Sequence, residues 1–162
     1  MSYHVRCKRL APQPVLFIRA HVERSKLEST VSSFLNEICD YIRTKGMQPS
    51  APPYTRYHAF DDNDIDLETG VPVIRRVSGQ NMIQTGEIPG GDYACTEHWG
   101  PYDQMQDAMR ALNEWMFDHG RQASGPSIEV YWTDPTTEHN ANRWRTELLR
   151  PLQPVSKAVA VA

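Results

Sequence analysis

Residues 27–60, LESTVSSFLNEICDYIRTKGMQPSAPPYTRYHAF, change period part-way along. Leu27, Val31, Phe34, Leu35, Ile38 and Ile42 recur at spacings of three and four, which lines one face of a helix. Ser25-Lys26-Leu27-Glu28 has the form of a capping box at its start, and Gly46 is a natural stop. Pro49–Pro53 then make a linker, and Tyr54–Phe60 reads as a strand. The same order returns in residues 105–131, MQDAMRALNEWMFDHGRQASGPSIEVY. Tyr102, Met105, Ala108, Met109, Leu112, Trp115 and Met116 line a second helical face, opened by Pro101 and ended by Gly120. Leu35-Asn36-Glu37 recurs as Leu112-Asn113-Glu114. Gly46 precedes Tyr54 by eight positions, as Gly120 precedes Ile128, so Tyr57 and Tyr131 take the same place in their strands.

Outward from these stretches the remaining elements fall into place. Tyr3–Arg9 alternates, and Val15-Leu16-Phe17-Ile18 is a short apolar run of the buried-strand type. Asp61–Asp66 reads as an acidic turn, and Leu67–Ile74 as a returning strand in which Pro72 predicts an edge or a bulge. Ile83–Ile88 and Asp92–Trp99 flank Pro89-Gly90-Gly91, and Ser127–Thr133 and Arg145–Leu152 close the set. Each half thus runs strand, helix, strand, strand. The expectation is an α+β fold: duplicated βαββ units, about 3–77 and 83–152, forming one antiparallel sheet with two helices and a central ligand pocket near the junction. Residues 1–153 make a single domain, and 154–162 a flexible tail.

Composition bounds the function. The chain has 162 residues, 40% hydrophobic and 23% charged, with a formal net charge of -3. That suits one domain, and the lack of excess Lys and Arg argues against nucleic acid. No apolar run approaches a membrane span, and no signal-peptide core opens the chain, which points to a cytoplasmic protein. Cys7, Cys39 and Cys95 are odd in number and widely spaced, as reduced thiols would be. Asp62, Asp64 and Asp66 start a calcium-loop spacing, but Leu67 replaces its turn glycine and Val73 its terminal Glu. The six histidines show no HxxxH or HxH pair, and no CxxC, P-loop, GxGxxG or GxSxG occurs. Neither a metal nor a cofactor is expected.

The chemistry-bearing candidates are strand glutamates among aromatics. Glu129 sits in Ile128-Glu129-Val130-Tyr131-Trp132. Such a residue lies on a solvated face, or is buried, in which case desolvation raises its pKa and makes it a cation anchor or an acid/base group. Glu147 in the last strand and Glu97 before His98-Trp99 pose the same question. Trp99 and Tyr102 flank the start of the second helix, Tyr131 and Trp132 follow Glu129, and Tyr54, Tyr57 and Phe60 occupy the matching strand. Aromatic walls plus one carboxylate suit flat, lipophilic, often cationic ligands. Candidate ligand-binding residues are therefore Glu129, Tyr131, Trp132, Tyr57, Trp99, Tyr102, Phe60 and Glu147. Alternation puts Glu129 and Tyr131 on one face and Val130 and Trp132 on the other, without saying which face meets the groove.

His98-Trp99-Gly100-Pro101-Tyr102, the helix with Leu112 and Trp115, Gly125–Tyr131, Asp134-Pro135 and Thr146-Glu147-Leu148 together resemble the GyrI-like small-molecule-binding domain, the effector-binding domain of multidrug-sensing transcription activators. Asp66–Val73 is similar to the family's central strand motif, and the likeness spans residues 3–152. The resemblance implies a duplicated βαββ fold and an aromatic pocket whose central glutamate, here Glu129, recognises lipophilic cations. Many relatives carry a helix-turn-helix region, for which this chain has no room. Stand-alone relatives include drug-sequestering proteins, protectors against gyrase poisoning, and hydrolases that open the cyclopropane of alkylating natural products. The expected function is binding of amphipathic aromatic, cationic small molecules. The alternative is a hydrolase in which Glu129 activates water and Tyr57 or Tyr131 polarises the substrate's carbonyl. A third reading is an interaction module that binds a protein partner such as a topoisomerase through an exposed sheet edge.

Overall fold

Both amphipathic stretches form helices because each has an apolar stripe that a sheet can bury. The computed structural model describes residues 2–155. Its strands are β1 (Arg6–Leu10), β2 (Gln13–Val22), β3 (Tyr54–Phe60), β4 (Ile65–Pro72), β5 (Gln84–Ile88), β6 (Gly91–Trp99), β7 (Ser127–Tyr131) and β8 (Arg145–Pro151); its helices are α1 (Leu27–Thr44) and α2 (Gln106–Asp118). All eight strands join one curled antiparallel sheet in the order β1-β6-β8-β7-β3-β4-β2-β5. The α+β architecture expected from the two periodicities is present. β2–α1–β3–β4 and β6–α2–β7–β8 take mirror positions in that order and meet where β3 pairs with β7.

The outer strands are tied rather than free. Leu10 pairs with Gly91 and Gln13 with Ile88, so one register runs through β1–β2 and β5–β6 as a single bent ribbon. The bend comes where Pro12 meets Gly90: a Cβ on Gly90 would lie 2.7 Å from the Pro12 ring. This tie curls the sheet and buries its helix-free face around Val15, Tyr54, Tyr93, Cys95, Ile128 and Leu149. On the other face α1 covers Leu16, Ile18 and Val71 with Ile38, Tyr41 and Ile42. Likewise α2 covers Ala94 and Leu148 with Ala108 and Leu112.

Several expected details move. The chain enters α1 through a short 3-10 turn at Arg24–Lys26, Lys26 is the N-cap, and no side chain caps it, so Ser25 and Glu28 do not form a capping box. Pro101 likewise precedes a 3-10 turn, Tyr102–Gln104, and α2 starts only at Gln106. In both places the tighter turn re-aims the chain before the helix packs on the sheet. Pro72 is at neither an edge nor a bulge: β4 lies between β3 and β2, and Pro72 ends it opposite Val15. The bulge is in β3, between Tyr57 and Ala59. Gly46 and Gly120 end their helices at φ +66 and +61, conformations that favour glycine. The tail expected from residue 154 lies almost wholly outside the described residues.

Gly70 in β4 is needed for close approach. A Cβ there would meet the Leu16 carbonyl oxygen at 2.6 Å and the Tyr54 hydroxyl at 2.8 Å, and the first of these is backbone in a paired strand. Gly70→Ala should therefore destabilise the fold by roughly 2 kcal/mol or more, read as a lower midpoint in urea.

Candidate functional site

The β3–β7 pairing assembles the site. Thr55 is opposite Glu129 and Tyr57 opposite Ser127, while across β7 and β8 Glu129 faces Leu148 and Tyr131 faces Thr146. Directly paired residues share a face, so Thr55, Tyr57, Glu129 and Tyr131 stand together. Leu148 packs under α2, which identifies that face as the helix side. Since α1 rests on β2 and β4, and α2 on β6 and β8, the two central strands form the floor of a groove between the helices.

Two phenols hold one carboxylate oxygen in this groove. The Tyr57 hydroxyl lies 3.1 Å, and the Tyr131 hydroxyl 3.0 Å, from Glu129 Oε2. Tyr131 also touches Thr55 Oγ1 at 2.8 Å; Thr55 touches Thr69 Oγ1 at 3.2 Å; and Thr69 donates to the Tyr54 carbonyl at 2.9 Å. Oε1 has no hydrogen-bond partner among the described residues. No lysine or arginine among them pairs with Glu129 either. Loss of hydration therefore dominates its titration and pushes the carboxyl up to about 7, the two phenolic hydroxyls only partly opposing it. Burial and the neighbouring carboxylate in turn hold Tyr57 and Tyr131 well above the ordinary phenol range. The groove is acidic beyond Glu129. Tyr102 is pushed up to about 12 by burial first, then by Glu129, Glu28 and Asp134.

Aromatic rings extend from the carboxylate in both directions. Phe60 meets Tyr57 edge-on with centroids 5.6 Å apart, and Tyr131 meets Tyr102 in the same way at 5.6 Å. Trp144 stacks on Tyr102 at 4.8 Å. Half of Phe60 is exposed, and Arg24 sits 4.8 Å over its ring at the outer end of the row.

Of the residues singled out from the sequence, the fold gathers Glu129, Tyr57, Tyr131, Phe60 and Tyr102. It places Glu147, Trp132 and Trp99 elsewhere. Glu147 pairs with Val130 and so stands on the opposite face, with Lys8 Nζ at 2.6 Å and Trp132 Nε1 at 3.3 Å. Trp132 carries Arg145 over its ring at 4.7 Å, and Arg145 also pairs with Glu97. Trp99 lines a cleft of about 220 Å³ together with Tyr3, Glu97 and Glu147. A second cleft, of about 160 Å³, lies beside Arg56, Tyr93 and Ile128, and neither cleft includes Glu129.

Three groups lie outside the candidate ligand-binding set read from the sequence, although Trp144 opens the last strand among the aromatics. Trp144 joins the aromatic row from the loop before β8. Thr55 meets Tyr131, and the spacing that aligns Gly46 with Gly120 already placed it level with Glu129. Glu68, 2% exposed on the helix-free face, accepts from Tyr54 at 2.8 Å and Arg56 at 2.8 Å and meets His58 at 2.8 Å. Burial acts to raise its pKa, but Arg56, His58 and Tyr54 outweigh that and hold it below the usual carboxylate range. Glu68 is thus a buried ion pair closed within the fold; Glu129 is a carboxylate with a free oxygen.

A family model for the GyrI-like small molecule binding domain matches residues 3–153. The chain belongs to this family. No curated protein matches the GyrI-like chain. Among solved structures, the EcmrR C-terminal domain is 22% identical with a TM-score of 0.81, over 96% of this chain and 100% of that one. EcmrR in a complex with DNA is 22% identical at TM-score 0.84; the match covers 94% of this chain, which spans 58% of the longer EcmrR chain. SAV2435 bound to tetraphenylphosphonium is 15% identical at TM-score 0.59, with 96% of each chain covered. A hydrolase from Listeria innocua is 10% identical at TM-score 0.68, covering 92% of this chain and 91% of that one. At these identities the likenesses are of fold. Among the described residues no helix is long and apolar enough to cross a membrane.

A carboxyl whose pKa is raised by folding makes the native state more stable below its unfolded value, near 4.5, and costs stability as pH rises through about 7. Glu129→Gln should therefore match the parent at about pH 4 and be more stable by roughly 2 kcal/mol or more at about pH 8, measured by denaturant unfolding at both pH values.

Proposed function

We propose that this GyrI-like domain binds lipophilic aromatic cations in the groove between α1 and α2, with Glu129 as the anchor. One observation carries the reading: Glu129 is half-buried with no cation among the described residues paired to it, and one of its oxygens has no protein partner. A ligand that brings a positive charge supplies the missing counter-ion, and the row of Phe60, Tyr57, Tyr131, Tyr102 and Trp144 supplies stacking surface. Cation–π and stacking contacts contribute roughly 0.5–2 kcal/mol each and tolerate many shapes. Glu28 and Asp134 add to the negative field. The structural neighbour with bound tetraphenylphosphonium supports the same ligand class. Such a domain would act in drug or toxin sensing or sequestration, as a cytoplasmic protein without direct nucleic-acid contact.

Titration with tetraphenylphosphonium, followed by calorimetry, tests the reading. Saturable binding is expected, weakened at least tenfold in Glu129→Gln; equal binding by that variant, or none by the parent, rejects the reading. Protons compete with a permanent cation for Glu129, so affinity should rise through about 7 and flatten above it. Well below that value it should fall about tenfold per pH unit. The pH dependence should vanish in Glu129→Gln.

A hydrolase reading rests on the same carboxyl, because a group titrating near neutrality is suited to general-base work. Here Glu129 Oε1 would take a proton from water as the water oxygen bonds to a cyclopropane carbon; the strained C–C bond breaks and its electron pair passes to the conjugated carbonyl, to which Tyr57 donates. Mass spectrometry of such a compound after incubation should show a water adduct formed by the parent and not by Glu129→Gln.

A further inference from the structure

The hydroxyl groups beside Glu129 form a chain whose proton count can be settled by valence. Tyr131, Thr55 and Thr69 have one hydroxyl proton each. Thr69 donates to the Tyr54 carbonyl at 2.9 Å, a fixed acceptor, so its oxygen is left to accept. Tyr131 lies within hydrogen-bond distance of both Glu129 Oε2, 3.0 Å, and Thr55 Oγ1, 2.8 Å, and can donate to only one of them at a time. Thr55 likewise lies between Tyr131 and Thr69, 3.2 Å away on its other side. Thr55 and Thr69 are fully buried, so water does not complete the count.

Two of the proton orders open to this chain engage every hydroxyl and differ in the charge of Glu129. With Glu129 ionised, Tyr131 donates to Oε2 and Thr55 donates to Tyr131. With Glu129 neutral and its proton on Oε2, the acid donates to Tyr131, Tyr131 to Thr55, Thr55 to Thr69, and Thr69 to the Tyr54 carbonyl. Every donor then points the same way, from the groove into the sheet, an arrangement in which each bond polarises the next. Passage between the two orders turns two hydroxyl protons and moves no heavy atom.

We propose that Thr55 and Thr69 are positioning residues for Glu129: through Tyr131 they form a reversible hydrogen-bond chain that supports the neutral acid, whose proton is exchanged at Oε2 with water of the groove. Neither threonine touches the ligand space. Both stabilise the neutral acid that has its proton on Oε2, because in that order Tyr131 donates to Thr55 and the Thr55 proton has Thr69 as its acceptor. The proposal builds on the cation-binding reading, in which an arriving cation selects the ionised order and drives the reversal. The ionisable groups that face the site from other elements are Tyr57 of β3, Tyr102 before α2, Glu28 of α1 and Asp134 after β7. Neither threonine is hydrogen-bonded to any of these, so replacing it leaves their effect on Glu129 in place.

The test reads the ligand-free protein, so it stands or falls apart from ligand binding. Glutamate side-chain carboxyls are labelled with carbon-13, the Glu129 resonance is assigned by its loss in Glu129→Gln, and its pH midpoint is followed by NMR. Thr55→Val keeps the side-chain shape but removes the acceptor that Tyr131 uses when Oε2 is protonated, so the midpoint should fall by about one pH unit. Thr69→Val should lower it in the same direction although Thr69 is hydrogen-bonded to neither Glu129 nor Tyr131. Thr55→Ser, which keeps the hydroxyl, should restore the parent midpoint. Unchanged or raised midpoints in the valine variants, or a serine variant that shifts as far as valine, would overturn the proposal. Infrared spectra of the parent at low pH give a reading that needs no variant but Glu129→Gln as a blank. The neutral Glu129 carbonyl should absorb at the frequency of a hydrogen-bond-donating acid, and absorption as a free acid overturns the chain.

Discussion

The antiparallel pairing of β3 with β7 is the contact on which the rest depends. It is where the two strand–helix–strand–strand stretches meet, and it sets Thr55 against Glu129 across the join. The two positions are equivalent in the internal alignment, and each is followed two residues later by a tyrosine. Both tyrosines therefore converge on one oxygen from opposite strands. Had both central positions been glutamates, two carboxylates would face each other across a strand pair, and like charges that close cannot both ionise. One threonine in place of one glutamate turns a symmetric scaffold into a site with a single charge and a hydroxyl to steer it.

Glu68 and Glu129, two carboxylates of the sheet that lose hydration on folding, show how the same residue type serves opposite ends. Glu68 and Glu129 lie on opposite faces two strands apart, and both lose hydration. Glu68 is surrounded by Arg56, His58 and Tyr54, so its charge is satisfied internally and its pKa is depressed. Glu129 receives only neutral hydroxyl donors, so its charge is left expensive and its pKa stands near neutrality. Burial alone does not make a ligand anchor; burial without an internal counter-ion does. Glu147, closed off by Lys8 and the Trp132 indole, falls on the structural side of that line.

Much of the architecture was legible because periodicity is a local property. The helix stripes from Leu27 to Ile42 and from Met105 to Met116, the alternation in Tyr54–Phe60, and the positive-φ glycines that end both helices can each be read from nearby residues. The helix starts were not legible. Ser25 and Glu28 have capping-box spacing, but the entry turn is set by how α1 docks on β2 and β4, and it takes up Ser25 in a 3-10 turn. Pro72 misled for a related reason: a proline is excluded from the middle of a ladder, and its place at the end of β4 satisfies that rule without an edge.

For the site, the sequence by itself determined which residues share a face, since side chains alternate along a strand: Glu129 with Tyr131, apart from Val130 and Trp132. It also determined, through the repeat, that Tyr57 and Tyr131 are counterparts. Only the tertiary structure decided which face lies under the helices, and so which glutamate meets the aromatic row. That choice follows from register between strands more than seventy residues apart, where a slip of one residue would carry Glu129 to the other side. The same register brought Thr55 to Tyr131 and left Glu147 and Trp132 across the sheet, because hydrogen-bonded pairing fixes neighbours that no local spacing encodes.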